Sequence, residues 1–193
     1  MQTKLYQPKT RYRQGLTAVE MLVVLVIAGI LAALATPSLV SMANTLRQKS
    51  AINMLASDLN LARAEAVKRN ARVLVCARSA TDATDANDTG CATSSPSWAS
   101  GWLVCVDTTS DGTDNCDAAT ATIPNPLYVR APLATQLTLS AHNGAATYGV
   151  RFNANGTQGG AGAMAATLTV GGTWSGAVDK TLTVAATGSV QAH

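Results

Sequence analysis

The stretch that decides the fold is RQGLTAVEMLVVLVIAGILAALATPSL, residues 13–39. Met21 to Ala35 are all apolar, and Leu16 to Ala35 has the roughly 20 residues that a helix needs to cross about 30 Å of hydrocarbon. One carboxylate, Glu20, lies near the start of this run, where a charge inside a bilayer costs about 2.5–3.5 kcal/mol. A membrane helix that keeps Glu20 therefore needs a positive partner for it.

A cleaved secretory signal is the competing interpretation of this N-terminus. The apolar run is preceded by four basic residues, Lys4, Lys9, Arg11 and Arg13. Residues 33–35 also offer an Ala-x-Ala cleavage site. Against this interpretation, the region before the apolar run is long and reaches Gln14, a charge lies inside the apolar region, and the helical pattern continues beyond Ala35. These features favour a retained helix.

A new α-amino group one helical turn before Glu20 would supply the positive partner. Cleavage after Gly15 makes Leu16 the first residue and Glu20 the fifth. Gly15, an apolar residue, Thr17, two small or apolar residues, Glu20 and a long apolar helix resemble the class III signal of type IV prepilins. The resemblance implies that a prepilin peptidase cuts between Gly15 and Leu16, that Leu16 is N-methylated, and that Glu20 pairs with the N-terminal amine of a neighbouring subunit. Leu16 departs from the usual Phe, and Pro37 matches the helix-bending proline of many pilus subunits.

Residues 38–72 continue the helix as an amphipathic segment without Gly or Pro. An apolar stripe recurs at i, i+3 and i+4 and comprises Ile52, Leu55, Leu59, Ala62 and Ala66. The other faces carry the basic residues Arg47, Lys49, Arg63, Lys68, Arg69 and Arg72, and Glu65 is placed to offset Arg69. The pattern predicts one helix from Leu16 to about Arg72, ~80 Å long at 1.5 Å per residue, with a solvated basic face.

Residues 73–193 are predicted to form a β-rich head. The strand candidates are Val73–Ala77, Gly101–Asp107, Leu127–Ala131, Gln136–Ser140, Thr147–Asn153, Ala166–Val170 and Lys180–Ala185. Glycine-rich turns over residues 153–163 and 171–176 separate the later strands. A long helix followed by strands predicts an α+β fold. We expect a leader at 1–15, a hydrophobic transmembrane and filament-core helix at 16–37, its amphipathic continuation at 38–72, and the head at 73–193.

The four cysteines of the head, Cys76, Cys91, Cys105 and Cys116, predict disulfide bonds in an exported chain. Their spacing matches no zinc pattern. Sequential pairing, Cys76 with Cys91 and Cys105 with Cys116, is the preferred connectivity of the three. A direct bridge between the strand residues Cys76 and Cys105 is its main rival.

Three stretches of the head resemble the GspH/FimT family: LARAEAVKRNARVLVC (61–76), WASGWLVCVDTTSDG (98–112) and YGVRFNANGTQ (148–158). That family includes minor pilins of type IV pili and the minor pseudopilin H of type II secretion. The resemblance implies a type IV pilin-like fold, with a long N-terminal helix and a C-terminal antiparallel β-sheet head. It also implies a bacterial inner-membrane protein with a single pass and a periplasmic head, which then enters a pilus or pseudopilus. The expected partners are other major and minor pilins or pseudopilins, the prepilin peptidase and the inner membrane.

A weak calcium candidate lies after the strand that ends at Asp107. Asp107, Thr109, Asp111 and Gly112 fall at the first, third, fifth and sixth places of a calcium loop, but the twelfth place is Ala118 instead of Glu. Turn formation accounts for the same residues. We expect no other metal and no cofactor.

Two further function classes are disfavoured. Some FimT-like pilins bind DNA through a basic Gly-Arg motif near the C-terminus, but the matching stretch here, TGSVQAH (187–193), has Ser189 in place of Arg. The net charge of +3 comes from the leader, since the chain from Leu16 onward carries 10 basic and 11 acidic residues. No nucleophile elbow, phosphate loop or HExxH motif indicates an enzyme.

We therefore expect a FimT/FimU-like minor pilin that helps to initiate type IV pilus assembly. The alternatives are pseudopilin H and a DNA-binding pilin for transformation.

Overall fold

A computed structural model of the chain describes residues 15–78, 91–92, 98–108, 116, 125–143, 145–146, 149–159 and 166–193, and of residues 34–37, 143 and 145–146 the backbone alone. Within these ranges one long helix, α1 (Ala18–Arg69), is followed by ten strands. The strands are β1 (Arg72–Ala77), β2 (Trp102–Asp107), β3 (Tyr128–Val129), β4 (Leu137–Asn143), β5 (Ala145–Ala146), β6 (Gly149–Phe152), β7 (Gln158–Gly159), β8 (Ala166–Gly172), β9 (Lys180–Val184) and β10 (Val190–Ala192). A 3₁₀ turn, Trp98–Ser100, precedes β2.

The sequence explains both ends of α1. At its start, the Glu20 backbone N–H donates to Thr17 Oγ1 at 3.3 Å, so Thr17 caps the helix within a Thr-x-x-Glu pattern. At its end, Asn70 adopts a left-handed φ of 49°. The N–H of Asn70 bonds to Val67 O and that of Ala71 to Ala66 O, which is the hydrogen-bond pattern of a Schellman motif. The helix therefore stops at Arg69, three residues before the predicted end.

The strands form two five-stranded antiparallel sheets. Sheet 1 has the order β3-β2-β1-β6-β7, and sheet 2 has the order β10-β9-β8-β4-β5. Each of the seven predicted strands has a counterpart, although β3 is shorter than the predicted Leu127–Ala131. The strands β5, β7 and β10, of two or three residues, were not predicted. The prediction of a turn over 153–163 was wrong at β7, because Gln158 and Gly159 pair with β6.

The main core lies between α1 and the two sheets. The predicted apolar stripe of the helix is confirmed, since Ile52, Leu55, Leu59, Ala62 and Ala66 are all buried. This core also contains Val73 and Val75 of β1, whereas Leu74 and Cys76 belong to a second, smaller cluster. Alternate residues of a strand point to opposite faces, so sheet 1 has one face on the helix side and another that the second cluster covers.

The chain divides into two compact units, one up to Val40 and one from Ser41 to His193. Among its described residues, the first contains the apolar half of α1. The second contains the rest of α1, both sheets and the whole buried core. The α+β fold with a long N-terminal helix and an antiparallel head is the fold expected from the sequence.

Candidate assembly interface

The large apolar side chains that the structure describes in the N-terminal unit form an exposed surface. Leu16 is 63% exposed, and most of the large apolar side chains from Val19 to Leu31 are at least half exposed. Within the described residues α1 is long and apolar enough to cross a membrane, with a mean hydropathy of 2.7 in its most apolar window and none of that window buried. Exposed apolar area of this extent calls for a bilayer or for other helices as its environment.

Glu20 lies exposed in the first turn of α1, two residues after the helix begins. A carboxylate is favoured there, because the N-terminus of a helix carries a partial positive charge. The predicted cleavage residues Gly15 and Leu16 both precede the helix. Pro37 lies within α1, and its role as a helix kink stays a prediction.

Asp58 is a buried acid that the sequence analysis missed. Its carboxylate is 1% exposed and accepts hydrogen bonds from Trp102 Nε1 at 2.8 Å and from Arg130 Nε and Nη2 at 2.8 and 2.7 Å. The hydrogen bond with Asp58 raises the pKa of Arg130 above its ordinary value, against the opposing effect of burial. The signal in the sequence was the placement of Asp58 beside the apolar stripe, three residues after Leu55. The contact fastens α1 to β2 and to the segment after β3.

Two further side chains fasten α1 to the sheets through backbone carbonyls. Gln48 Nε2 donates to Val170 O at 2.7 Å and to Val178 O at 2.9 Å. Arg63 Nε donates to Gly156 O at 2.9 Å, and Arg63 Nη2 to Thr187 O at 3.1 Å. The sequence analysis assigned Arg63 to a solvated basic face, but the side chain joins the β6–β7 turn to the β9–β10 turn.

The structure pairs Cys76 with Cys91 and Cys105 with Cys116, which is the sequential connectivity. The four Sγ atoms lie within 4.8 Å of one another, and Cys91 Sγ is 3.8 Å from Cys116 Sγ. A grouping of four thiolates at this spacing can hold a metal ion, but here the sulfurs are committed to disulfides. The two bridges therefore lie side by side on the face of sheet 1 that is turned away from the helix.

The remaining predicted sites are spread over the head. Asp107 is buried at the end of β2, with Oδ1 3.6 Å from Arg72 Nη2, and Asp111 falls outside the described residues. The segment 187–193 contributes β10, at an edge of sheet 2. Of the loop 82–97, only Cys91 and Ala92 are described.

Among the described residues of the head, open grooves lie on either side of α1, and two of them are described here by their lining. The first, which we call the helix–turn groove, has a volume of about 490 Å3 and is lined by Asn60, Arg63, Ala64, Val67, Lys68, Asn155 and Gly156. The second has about 560 Å3 and lies between Arg47, Ser50, Ala51 and Met54 of the helix and residues 129–134 and 137. The first groove carries Arg63 and Lys68 and the second carries Arg47 and Arg130, of which Arg130 is paired with Asp58 and Lys68 with Glu65.

Residues 51–188 match the family model described as Type II transport protein GspH. The chain belongs to the GspH family. Membership assigns it to the minor pilins of type IV pili or the GspH-like pseudopilins, which are structural subunits that interact with other pilins or pseudopilins. An apolar N-terminal helix fits membrane anchoring of such a subunit.

Solved structures similar to this GspH family member include two crystal forms of the type IV minor pilin FimU of Pseudomonas aeruginosa. The P21 form is 21% identical, with a TM-score of 0.47 over 75% of this chain and 87% of FimU. The P65 form is 20% identical, with a TM-score of 0.46 over 75% of this chain and 91% of FimU. A comparison with curated protein sequences gives no match.

Proposed function

We propose that this chain is a minor pilin of a type IV pilus that helps to initiate pilus assembly. In this proposal prepilin peptidase cuts between Gly15 and Leu16 and N-methylates Leu16. The helix from Leu16 to Pro37 anchors the subunit in the inner membrane with the head in the periplasm. The same helix then moves into the filament core as the subunit assembles.

The observation that carries the proposal is the contrast between the two units of the chain. The head buries its own core, including Leu55, Leu59, Trp98 and Trp102, all at 0% exposure. The described large apolar side chains of the N-terminal unit are instead exposed. A subunit with a folded head and an exposed apolar helix can insert that helix in a bilayer. It can later pack the same helix against the helices of neighbouring subunits in place of lipid.

Glu20 provides the assembly signal in this proposal. Its charge is costly in hydrocarbon but stabilising beside a positive amine in a medium of low dielectric constant. An ion pair between Glu20 and the N-terminal amine of the preceding subunit would form only when the two helices have the correct axial offset. In this proposal Glu20 therefore fixes the axial position of each subunit, and packing of the apolar helix surfaces provides most of the stabilisation.

The second candidate is the minor pseudopilin H of a type II secretion system. The description of the matching family model favours it. The stretch LAALATPSL (31–39) instead leans toward the minor-pilin branch of FimT and FimU type. In both candidates the chain acts through protein contacts after processing by prepilin peptidase.

The first test is the intact mass and N-terminal sequence of the protein recovered from cell membranes. A methylated N-terminus at Leu16 is the expected result. A start at Thr36 would mean that an ordinary signal peptide had been removed, and the filament proposal would fail with it.

Deletion of the gene separates the two candidates. Loss of surface pili and of twitching motility, with protein secretion intact, is expected for the minor pilin. Loss of exoprotein secretion with intact pili would establish the pseudopilin instead. Complementation with the full chain controls for effects on neighbouring genes.

A further inference from the structure

A hairpin of sheet 2, formed by β8 and β9, lies along the part of α1 that belongs to the second unit. Gln48 Nε2 donates to the carbonyl oxygens of Val170 and Val178, which lie on either side of the hairpin tip. Arg63, which follows later in the helix, donates to Thr187 O beyond the other end of β9. The hairpin therefore runs antiparallel to the helix over this length, with its tip toward the N-terminal end of the unit.

The tip of this hairpin, residues 173–178, is uncharged, and we call it the β8–β9 tip. The Ala177 N–H donates to Trp174 O at 3.1 Å, and Gly176 has a φ of +80°, which are features of a type II turn. The Val178 side chain is 66% exposed. The Trp174 ring is partly buried, since one side of it packs against the main core. The β8–β9 tip thus presents an aliphatic side chain and part of an indole ring to the surroundings of the head.

The neighbouring part of α1 is apolar and basic. Its exposed side chains include two large apolar and two basic ones, Met42, Leu46, Arg47 and Lys49. The helix has no acidic residue over 41–57. The single acid that follows the β8–β9 tip, Asp179, is offset by the adjacent Lys180. Exposed apolar side chains accompanied by basic residues are the combination that binds a surface of anionic phospholipid.

The β8–β9 tip lies near the end of the second unit at which the chain enters from the expected membrane segment. That segment ends at Pro37, and the unit begins shortly after it, at Ser41. Gln48 follows Ser41 by about 10 Å of helix. The strand from Val170 to Trp174 runs back in the direction of Ser41 and spans up to about 13 Å. The tip can therefore reach the level of Ser41, and lipid headgroups extend about 5–7 Å beyond the hydrocarbon.

We propose that the β8–β9 tip docks on the surface of the bilayer that holds the N-terminal helix, with Trp174 and Val178 in the headgroup layer. Tryptophan is favoured in this layer, because its ring is apolar and its N–H can still bond to water or lipid. The basic side chains of Arg47 and Lys49 favour anionic headgroups beside it. Docking holds the head in one orientation above the membrane before assembly. The inference rests on the proposed function, which inserts the helix in a membrane.

Tryptophan fluorescence tests the docking at a single site. The chain has three tryptophans, of which Trp98 and Trp102 are both 0% exposed and Trp174 belongs to the tip. The protein recovered from membranes is reconstituted, at a low ratio of protein to lipid, in vesicles of phosphatidylglycerol and phosphatidylethanolamine. Part of the lipid carries bromine near the carbonyl end of its acyl chains, and bromine quenches the tryptophans close to it. The emission of Trp174, taken as the difference between the parent protein and Trp174→Phe, should fall severalfold in the brominated vesicles.

Matched variants test the tip itself. Val178→Asp adds a charge at an exposed side chain and keeps the backbone carbonyl that binds Gln48, so the quenching of Trp174 should be lost while the head stays folded. Ala186→Asp adds the same charge at an exposed position beyond the other end of β9 and should leave the quenching unchanged. The emission of the buried Trp98 and Trp102 checks the fold of both variants.

Three results would overturn the docking: no quenching of Trp174; the same quenching in the parent and in Trp174→Phe; or full quenching in Val178→Asp. If the emission of Trp174 changes with protein density and not with bromine, a second copy of the chain covers the tip in place of lipid. Each of these results leaves the proposed function intact if Leu16 is methylated and deletion abolishes pili. A protein that starts at Thr36 and fails to enter the vesicles would instead refute the proposed function.

Discussion

Arg130 and Asp58 form a two-point contact between the segment after β3 and α1. Arg130 Nε donates to Asp58 Oδ2 at 2.8 Å, and Nη2 donates to Oδ1 at 2.7 Å. Trp102 Nε1 donates to the same Oδ2 at 2.8 Å. Because Asp58 is 1% exposed and Arg130 is 37% exposed in its side chain, the carboxylate has lost its water and depends on these donors.

Arg130→Met should lower the free energy of unfolding by about 3 kcal/mol, because a buried carboxylate would lose its charged partner. This loss lies at the lower end of the range for broken buried ion pairs, because the Arg130 side chain is partly exposed and water can approach the site from that side. Urea unfolding of the full chain in detergent, followed by the fluorescence of the buried tryptophans, measures the change. Lys49→Met, on the exposed face of α1, is the control and should stay within about 0.5 kcal/mol of the parent protein. A loss no larger than this in Arg130→Met would contradict the prediction.

The two glycines Gly188 and Gly176 permit a matched comparison. Both have a left-handed φ, +79° and +80°, so alanine at either position should cost about 1–2 kcal/mol. A Cβ at Gly176 would meet nothing within 4 Å, whereas one at Gly188 would collide with the carbonyl oxygen of Gly156, to which Arg63 also donates. Gly188→Ala should therefore be more destabilising than Gly176→Ala by at least about 1 kcal/mol, as measured by the same urea titration. Equal losses would mean that the two turns do not pack as described.

Removal of either disulfide should destabilise the head by about 3 kcal/mol, because each closes a short loop in the unfolded chain. The loops span 15 residues for Cys76–Cys91 and 11 for Cys105–Cys116. The double variants Cys76→Ser/Cys91→Ser and Cys105→Ser/Cys116→Ser are compared with the parent by urea unfolding. Peptide mapping of the unreduced protein checks the pairing, and a peptide joining Cys76 to Cys105 would refute it.

Glu20→Gln should leave the head and its membrane insertion unchanged but strongly reduce incorporation into filaments. The amide is nearly the same size as the carboxylate but carries no charge to pair with an N-terminal amine. The ratio of the protein in sheared filaments to that in membranes measures the effect. Glu65→Gln removes a carboxylate from the head and serves as the control. Normal incorporation of Glu20→Gln would show that assembly does not use this charge.

The sequence by itself determined the α+β outline. The apolar run to Ala35, the stripe from Ile52 to Ala66 and the alternation in VLVCA (73–77) each carry a periodicity that specifies a local structure. The exact end of α1 was missed, since the apolar pattern predicted about Arg72 and the left-handed Asn70 ends the helix at Arg69. These local structures depend on the spacing of residues close together in the sequence, so they can be predicted without knowing the tertiary contacts.

Only the tertiary structure decided how the polar residues of the helix are used. Asp58, Gln48 and Arg63 have partners 44 to 130 residues away, and nothing in the local sequence distinguishes Arg63 from the exposed Lys68. The short strands β5, β7 and β10 escaped prediction for the same reason, since two or three residues carry no periodicity and exist as strands only through the neighbours with which they pair. Local order follows from the spacing of side chains along the chain, whereas a buried charge or an edge strand is stabilised only by groups that folding brings to it.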